Sequence, residues 1–479
     1  MPLPVVHSRT PLHLILAHGR AGLSALTLLL AAGCAHQSAD SAALNSATLD
    51  AALQPPPLAG IKIAAAQLAH PLLPPLVIDG RDGFSPDEIA VMAVIVSPQL
   101  RALRDQRGVA QAQVLQAGLL PNPQLGYSVD QPHGVNVPGL INGKSLGLSW
   151  DFTALLGRQD RVSSAQATAG ALDLSIAWEE WQTAQDARLR AFRLLSLRAR
   201  LPLLRQIEAD LAGTLGAIKK AAMLGHKTTL DVTTTTEAWI AAQTTRLNAE
   251  QDEATERTAL NLTLGQPADG EIALKPAPVF PELPPDTAAA RLLEGLEKRR
   301  LDLVALALGY QSQQATERAA VKAQFPKINF SFAQANDTSD VRTRSYGVTI
   351  DLPLFDHNQG NLASARATRQ QLFDEYVARV AEARATVVLL LGKLSATRSQ
   401  LQADREALPE LEHLVASLEK AVRSRNADVS AYRDARSLLA ARRLEQANLQ
   451  QQVLELGVAL ELATGRSLLN RSTSNKFSP

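Results

Sequence analysis

The sequence predicts a mainly α-helical protein with a small β part, built from two copies of one unit. Hydrophobic residues make up 46% of the 479 residues but aromatic residues only 4%, so the apolar content is mostly Ala, Leu and Val. That composition favours long helices over aromatic-rich globular cores. Short segments with strict apolar–polar alternation, typical of strands, occur in two similar pairs. Between them lie stretches such as residues 157–224 whose apolar residues follow the spacing of a helix.

The N-terminus carries a targeting signal. Arg9 and Arg20 precede an uncharged apolar run over residues 21–32, the pattern of a secretory signal peptide. The run ends at Cys34 in the letters LAAGC, which resemble a bacterial lipobox. We therefore expect a lipoprotein signal peptide over residues 1–33 and a lipid on Cys34, with Ala35 favouring the outer membrane. The alternative is ordinary cleavage, with Cys34 incidental.

The segment after the signal, residues 34–84, is rich in Ala, Ser and Pro. It includes consecutive prolines at 55–57 and 74–75, which predict an extended, lipid-anchored tether without a core of its own. Ordered structure is expected from Ser85, an N-cap residue that is followed by Pro86 in the first turn and by Glu88 in a capping box.

An internal repeat organises the rest of the chain. The letters SLGLSWDF at residues 145–152 recur as SYGVTIDL at residues 345–352, and the closing Gly265 recurs as Gly465. One offset that holds over a strand, the following helix and a terminal glycine indicates two copies of a large unit. The first repeat is assigned to residues 85–284 and the second to residues 285–466, followed by a polar C-terminal tail over residues 467–479.

Each repeat contains two strand-like segments joined by a polar loop. The alternating apolar residues are Leu125, Tyr127 and Val129; Leu146, Leu148, Trp150 and Phe152; Ile328, Phe330 and Phe332; and Tyr346, Val348, Ile350 and Leu352. A period of two gives one apolar and one polar face, as in a half-buried sheet or in a membrane barrel with lipid outside and water inside.

The remaining segments are predicted to be long helices. The long helix of each repeat covers residues 157–224 or 362–425, and at 1.5 Å per residue the first would extend roughly 100 Å. Returning helices are expected over residues 230–264 and 428–463, and leading helices over residues 86–119 and 287–323. Pro202 and Pro409 lie inside the long helices and predict either kinks or interruptions.

Four strands cannot seal a membrane barrel, since small closed barrels start near eight strands and an open edge in lipid leaves backbone groups unsatisfied. The chain must therefore pool its strands with copies of itself, or the sheet lies outside a membrane. A cyclic oligomer closes the edges, and the longer helices would continue the barrel as a conduit.

Several motifs together resemble the TolC family of outer-membrane efflux channels over nearly the whole mature chain. They are GLLPNPQL at 118–125, RLDL at 300–303, FPKI at 325–328, LPLFD at 352–356, and Gly225 with LDV at 230–232. The resemblance implies a homotrimer in which four strands per chain contribute to a twelve-stranded transmembrane β-barrel, above long coiled helices that form a periplasmic α-barrel. It also implies a periplasmic adaptor protein and a proton-driven inner-membrane pump as partners, with lipid of the outer membrane around the barrel.

The exported substrate stays open at this point. The letters FDHNQGN at 355–361 resemble the branch of the family that serves cobalt-zinc-cadmium pumps, although the same letters can cap a strand and start a helix. Heavy-metal cations and drugs or other organic solutes are therefore both candidates. A rival interpretation is a lipid-anchored periplasmic coiled-coil scaffold whose short strands form a soluble sheet.

Three residues are predicted to form the periplasmic gate by their place in the resemblance. Asp231 and Asp428 begin the returning helices, and three-fold symmetry would gather such carboxylates into a ring that attracts cations. Arg425, in the second turn, is a candidate for pairing with them. The alternative is that both Asp residues only cap their helices, a frequent role of Asp at such positions.

Tyr127, Trp150 and Tyr346 are predicted to form an aromatic girdle at the level of the lipid headgroups. They fit equally well as ordinary residues of a sheet.

Other functional classes are disfavoured. The 48 Lys and Arg balance 47 Asp and Glu, without the basic run that a nucleic-acid protein of this kind would need. The single cysteine rules out an intrachain disulfide framework, and the histidines lack metal-ligand spacing. The sequence contains no phosphate loop and no nucleophile elbow, so we expect no catalytic residue, no metal site and no cofactor beyond the lipid on Cys34.

Overall fold

The computed structural model describes residues 45–54, 56–134, 139–275, 289–424, 426 and 428–467. The predicted signal peptide, Cys34 and Arg425 lie outside the described residues. The chain divides into two compact units, Met1–Gln54 and Pro55–Pro479. In the first unit the described helix is Ser46–Leu53, which begins where the Asn45 side chain accepts a hydrogen bond from the Thr48 amide.

The second unit contains one antiparallel four-stranded sheet with the order β1-β2-β3-β4. The strands are β1 (Gln124–Asp130), β2 (Gly143–Asp151), β3 (Lys327–Asn336) and β4 (Arg342–Asp351). Each repeat supplies one hairpin, and β2 pairs with β3 to join them. The predicted strands are confirmed.

The helices of the two repeats correspond closely. The first long helix is Arg158–Met223 and the first returning helix is Thr229–Thr263. The second long helix is Gln359–Arg423 and the second returning helix is Val429–Thr464. Each begins about 200 positions after its counterpart, which fits the predicted duplication. Among the described residues, no helix combines the length and the apolar character needed to cross a membrane.

The prediction of a tether without a core is wrong for the part after Pro57. Residues Leu58–Ala66 form a helix, and its Ile61 and Ala65 are buried in a cluster with residues of the first repeat. Leu73 and Ile78 are also buried. Pro57 starts this helix, Gln67 ends it, and the prolines on either side do not keep the segment extended because apolar residues between them reach the core.

Both leading segments are divided where one continuous helix was predicted. The first consists of Pro86–Val96 and Pro98–Gly118, since Pro98 cannot donate a backbone hydrogen bond and Ser97 caps the second helix instead. The second consists of Ala289–Leu293, Leu296–Arg299 and Leu301–Lys322, with Gly295 in the left-handed conformation at the break. Its last helix packs against both long helices.

Pro202 and Pro409 both lie inside continuous helices. The predicted interruption of the helix therefore does not occur at either proline.

The RLDL motif joins the two repeats. Arg300 holds Asp302 through two hydrogen bonds of 3.0 and 2.7 Å, and its guanidinium lies 5.0 Å from the centre of the Trp178 ring. Leu301 and Leu303 are buried on either side of Asp302. Beside this motif, Gly465 ends the second returning helix with a positive φ of 58°, and a Cβ there would lie 3.2 Å from the carbonyl oxygen of Arg299. Glycine satisfies both requirements.

Candidate functional site

The apolar face of the sheet is exposed in the single chain. Directly opposed residues of neighbouring strands share a face, so the register places Leu125, Leu148, Phe332 and Tyr346 in one row across all four strands. Leu125 is 73% exposed and Tyr346 82% exposed. A row of large apolar side chains in water is costly, at about 25 cal/mol per Å² of apolar surface. This face needs an apolar covering that the described part of the chain does not supply.

The opposite face carries small polar side chains. Along each strand it alternates with the apolar face, and its residues between the ends of the strands are Gly126, Ser128, Ser145, Gly147, Ser149, Asn329, Ser331, Ala333, Ala335, Thr343, Ser345, Gly347 and Thr349. Side chains this short leave the space in front of the sheet open to water. Charged residues occur at the ends of this face, with Asp130 at the loop end and Asp151, Asp351 and Lys327 at the helix end.

The outer edges of the sheet complete this arrangement. Within the described residues, β1 pairs only with β2 and β4 pairs only with β3. All seven residues of β1 are exposed. An edge strand with a full row of unpaired amide and carbonyl groups is a template for a strand from another chain. The two edges lie at opposite sides of one sheet, so copies of the chain can pair edge to edge in a ring.

The three predicted girdle residues lie on the apolar face, but on successive rows of the sheet. Tyr127 faces Leu146, and Tyr346 lies in the next row towards the helices, opposite Phe332. Trp150 lies one row further, and its indole nitrogen donates a 2.8 Å hydrogen bond to the Pro121 carbonyl. The girdle therefore stays a prediction.

Phe152, Phe330 and Phe332 extend the aromatic surface around these positions. The rings of Phe152 and Phe330 meet edge to face with their centroids 5.8 Å apart, and the ring centroids of Phe332 and Tyr346 are 5.3 Å apart. Sequence alternation placed these phenylalanines on the apolar face without singling them out.

The first turn, between the first long helix and its returning helix, contains Asp231. Its carboxylate accepts hydrogen bonds of 2.8 Å from both the amide and the hydroxyl of Thr228, and the Asp231 amide donates to the Thr228 hydroxyl. These bonds from Thr228, the backbone amide first, lower the pKa of the exposed Asp231 carboxyl below its ordinary value. The structure thus gives Asp231 the capping role, and the ring of carboxylates stays a prediction.

The second turn has a different local structure. Asp428 is exposed and precedes Val429, the first residue of the second returning helix. Arg423, at the end of the second long helix, pairs with Glu419 of its own helix at 2.5 Å. Further along the helices, Arg436 contacts Asp210 at 2.7 Å and links the second returning helix to the first long helix.

A buried group of charges lies where the two repeats meet. Arg188 of the first long helix contacts Glu461 of the second returning helix at 2.6 Å and Asp87 of the first leading helix at 2.9 Å. Glu461 is fully buried. Sequence analysis did not identify this group, because ion pairs between segments about 270 positions apart leave no local pattern.

His70 attaches the N-terminal segment near this junction. Its Nδ1 accepts hydrogen bonds from the Leu72 and Leu73 amides, so Nε2 carries the proton and donates to the Ala177 carbonyl at 2.9 Å. Burial lowers the pKa of this imidazole, against the opposing effects of Ala177 and Glu180. The geometry and the pKa both favour neutral His70, with a role in holding the segment in place.

The motif at residues 355–361 starts the second long helix. Asn358 adopts the left-handed conformation, its amide donates to the Asp356 carboxylate at 2.8 Å, and its side-chain amide donates to the Ala320 carbonyl. These contacts agree with the capping alternative for this motif. Within the described part of the chain, no group of three or more His, Cys, Asp or Glu residues is arranged to hold a metal ion.

Comparisons with known proteins identify relatives and structures with this fold. Residues 292–466 match the family model described as Outer membrane efflux protein. The cobalt-zinc-cadmium resistance protein CzcC of Cupriavidus metallidurans is 24% identical over 306 residues, which cover 60% of this chain and 68% of that protein.

Two solved structures share the arrangement of helices and strands. CusC has 17% sequence identity and a TM-score of 0.64, covering 83% of this chain and 98% of that chain. VceC from Vibrio cholerae has 18% identity and a TM-score of 0.63, covering 80% of this chain and 96% of that chain. These likenesses establish the fold.

Proposed function

We propose that this chain, a member of the TolC family of outer-membrane efflux channels by its sequence match and its fold, forms the outer-membrane duct of a tripartite efflux system. The observation that carries the proposal is the four-stranded sheet, with one exposed apolar face, one face of small polar residues and two open edges. Lipid covers the apolar face, neighbouring chains close the edges, and water fills the polar side.

Three copies form the closed barrel. Four strands per chain give twelve in a trimer, above the minimum of about eight for a small barrel. The family resemblance favours three copies over two. The long and returning helices then continue the duct on the periplasmic side, with the turns at Asp231 and Asp428 at its far end, where the adaptor and the proton-driven pump deliver the substrate.

Heavy-metal cations are the substrate class that we favour, and organic solutes are the second candidate. The charged residues at the ends of the polar face are three carboxylates, Asp130, Asp151 and Asp351, and one cation, Lys327. The excess of carboxylates makes the local electrostatic potential negative, and a negative potential attracts cations. The relative with a cobalt-zinc-cadmium resistance name supports the same choice. A wide aqueous duct needs no metal ligands, because the pump can select the substrate.

The N-terminus adds a second attachment to the outer membrane. A lipid on Cys34 would anchor the chain there, and the segment from Leu58 onwards packs against the first repeat. Two attachments, barrel and lipid, would keep the N-terminal segment at the membrane.

Planar-bilayer recording tests the proposal directly. Purified protein is expected to conduct ions as a trimer that stays associated in unheated SDS, and a monomeric, non-conducting protein would refute the duct in favour of the scaffold. The Asp351→Asn variant is expected to lower the preference for cations over anions, while Glu375→Gln, which removes an exposed carboxylate from the second long helix, should leave it unchanged.

Growth of a deletion strain separates the two substrate classes. Loss of resistance to zinc, cadmium or cobalt with unchanged resistance to dyes supports metal cations, and the opposite result supports organic solutes.

A further inference from the structure

Three basic side chains form a patch at the loop end of the apolar face of the sheet. Lys144 of β2 lies opposite Asn336 of β3, which lies opposite Arg342 of β4, so Lys144 and Arg342 are two strands apart in one row. Arg344 lies two residues further along β4, on the same face. With strands about 4.8 Å apart and about 6.7 Å between alternate residues, the three Cα atoms fall within about 12 Å of one another.

These cations lack partners within the described part of the chain. All three are exposed, and none of them forms a salt bridge there. Asp130 lies at the same end of the sheet but on its opposite face, and Asp337 and Asp340 belong to the turn between β3 and β4.

Both carboxylates accept hydrogen bonds within that turn through their Oδ1 atoms. Asp337 accepts from the Ser339 and Val341 amides, at 2.8 and 3.0 Å. Asp340 accepts from the side chain of Asn336 at 2.8 Å. Three like charges gathered on one face repel one another weakly in water and together attract an anion.

The neighbours of the patch show what kind of surface it borders. Along one face of β4 the residues run from Arg342 and Arg344 through Tyr346 to Val348 and Ile350. This order of charge, aromatic ring and aliphatic side chain matches the order of headgroup, interface and hydrocarbon across one leaflet of a membrane. The cations therefore lie at headgroup depth, on the side of the sheet away from the long helices.

We propose that Lys144, Arg342 and Arg344 bind the phosphate groups of lipopolysaccharide, the anionic lipid of the outer leaflet. The inference rests on the proposed function, because the apolar face meets lipid only in a closed barrel. Arg342 and Arg344 present two guanidinium groups, which suit bidentate contacts with phosphate oxygens, and Lys144 adds a point charge two strands away. In the trimer the patch occurs three times around the outer rim.

Lipid retention measures this binding. The purified full-length protein is reconstituted in phosphatidylcholine vesicles that contain a minor fraction of lipopolysaccharide, re-extracted in mild detergent and analysed for bound lipid by native mass spectrometry. The wild type is expected to retain lipopolysaccharide, and the triple variant Lys144→Gln, Arg342→Gln, Arg344→Gln to bind it roughly a hundredfold more weakly, given about fivefold for each of the three basic residues near an anionic surface.

Matched controls separate this site from general charge and from the channel itself. Lys219→Gln, Lys393→Gln and Lys420→Gln together remove three charges from exposed positions on the long helices and should leave retention unchanged. Equal retention by the wild type and the strand variant would overturn the proposal, as would equal retention of phosphatidylglycerol or displacement of the lipid by inorganic phosphate. Conductance is measured on the same vesicles, so a protein that conducts without retaining lipopolysaccharide refutes the lipid site only, whereas loss of conductance in the wild type refutes the duct.

Discussion

The two helical hairpins have the same architecture but combine ion pairs and apolar contacts in different proportions. Within the described residues, the first long helix and the first returning helix are joined by a ladder of Arg–Glu pairs, among them Arg198–Glu253 at 3.0 Å and Arg246–Glu208 at 2.5 Å, beside apolar contacts such as Leu204 with Ala249. The described part of the second hairpin has fewer such pairs, among them Arg443–Glu412 at 2.8 Å, and closes around a buried seam of Val387, Leu391, Leu394, Leu401, Leu449, Val453 and Leu460.

This difference shows that the two repeats can have the same geometry although different contacts stabilise them. Partly exposed ion pairs contribute little each and are screened by salt, whereas buried leucines contribute several kcal/mol and are indifferent to salt. We therefore expect the first hairpin to loosen first, and to do so more readily at high ionic strength.

The largest effect is expected at the junction between the repeats. Glu461→Ala leaves Arg188 buried, with Asp87 as its remaining charged partner among the described residues, and should lower the free energy of unfolding by about 3–5 kcal/mol. Urea unfolding of the detergent-solubilised protein, followed by far-UV circular dichroism, measures the loss. The double variant Arg188→Met, Glu461→Leu removes both charges and should recover most of it. Equal stability of Glu461→Ala and the wild type would show that the two hairpins are not joined here.

The apolar seam of the second hairpin gives the next largest effect. Leu394 is 1% exposed, so Leu394→Ala should cost about 2–5 kcal/mol through lost burial and the cavity that remains. Leu389→Ala, at a 57% exposed position on the same helix, is the matched control and should cost far less. Similar losses for the two variants in the same urea titration would contradict the description of a buried seam.

A smaller effect is expected at the turn of the first hairpin. Thr228→Ala removes the hydroxyl that caps the first returning helix, at a cost of about 1 kcal/mol, whereas Thr229→Ala keeps the cap. Hydrogen exchange of the amides after Thr229 should be faster in the first variant than in the second.

The same turn should respond to acid. Because the folded pKa of Asp231 lies below its ordinary value of 3.8, its contribution is present above that pH and is lost as the pH falls through the folded pKa. The measured quantity is the protection of the amides after Thr229, corrected for the intrinsic pH dependence of exchange. Protection that does not change with acid in this range would argue against the carboxylate as part of the cap.

The smallest effect is expected at an ion pair of the first hairpin, and it tests most directly whether such pairs are exposed to salt. Arg246→Gln breaks the contacts with Glu208 and Glu250 in the first hairpin and should cost about 0.5–1 kcal/mol at low salt. A double-mutant cycle with Glu208→Gln isolates the pair, and its coupling energy should fall towards zero as salt is added. A coupling energy that persists at high salt would mean that this ladder is shielded like the seam of the second hairpin.

Much of this fold could be predicted from sequence because its signals are periodic. Strict alternation defined the four strands, helical spacing defined the long helices, and the recurrence of residues 145–152 at 345–352 revealed the duplication. The mainly helical fold class with four strands is confirmed, and residues 292–466 match the family model described as Outer membrane efflux protein, in agreement with the resemblance.

The errors have two physical causes. The segment after Pro57 looked like a tether because residues 34–84 are rich in Ala, Ser and Pro, yet Ile61 and Ala65 are buried against residues far along the chain. Ser97 and Pro98 lie where one longer helix was predicted, although they end one helix and begin the next. In the first case a distant packing partner decides the outcome, and in the second the local chemistry of serine and proline does.

The candidate site was predictable in its pattern more than in its details. Alternation gave the two faces of the sheet, but the row on which each aromatic residue lies depends on strand register, which separates Tyr127, Tyr346 and Trp150. Asp231 was identified as a gate or a cap, and its contacts with Thr228 show the cap. The roles of Cys34, Asp428 and Arg425 stay predictions.

The short side chains on the polar face of the sheet have one more consequence. Residues such as Gly147, Ala333 and Ser345 project so little that the bore of a closed barrel is fixed by the backbone, through strand number and tilt. Replacing one small residue by another on this wall would then change the polarity of the barrel interior while leaving its diameter nearly constant. In the proposed duct, this wall would therefore not select cargo by size through changes in its bore.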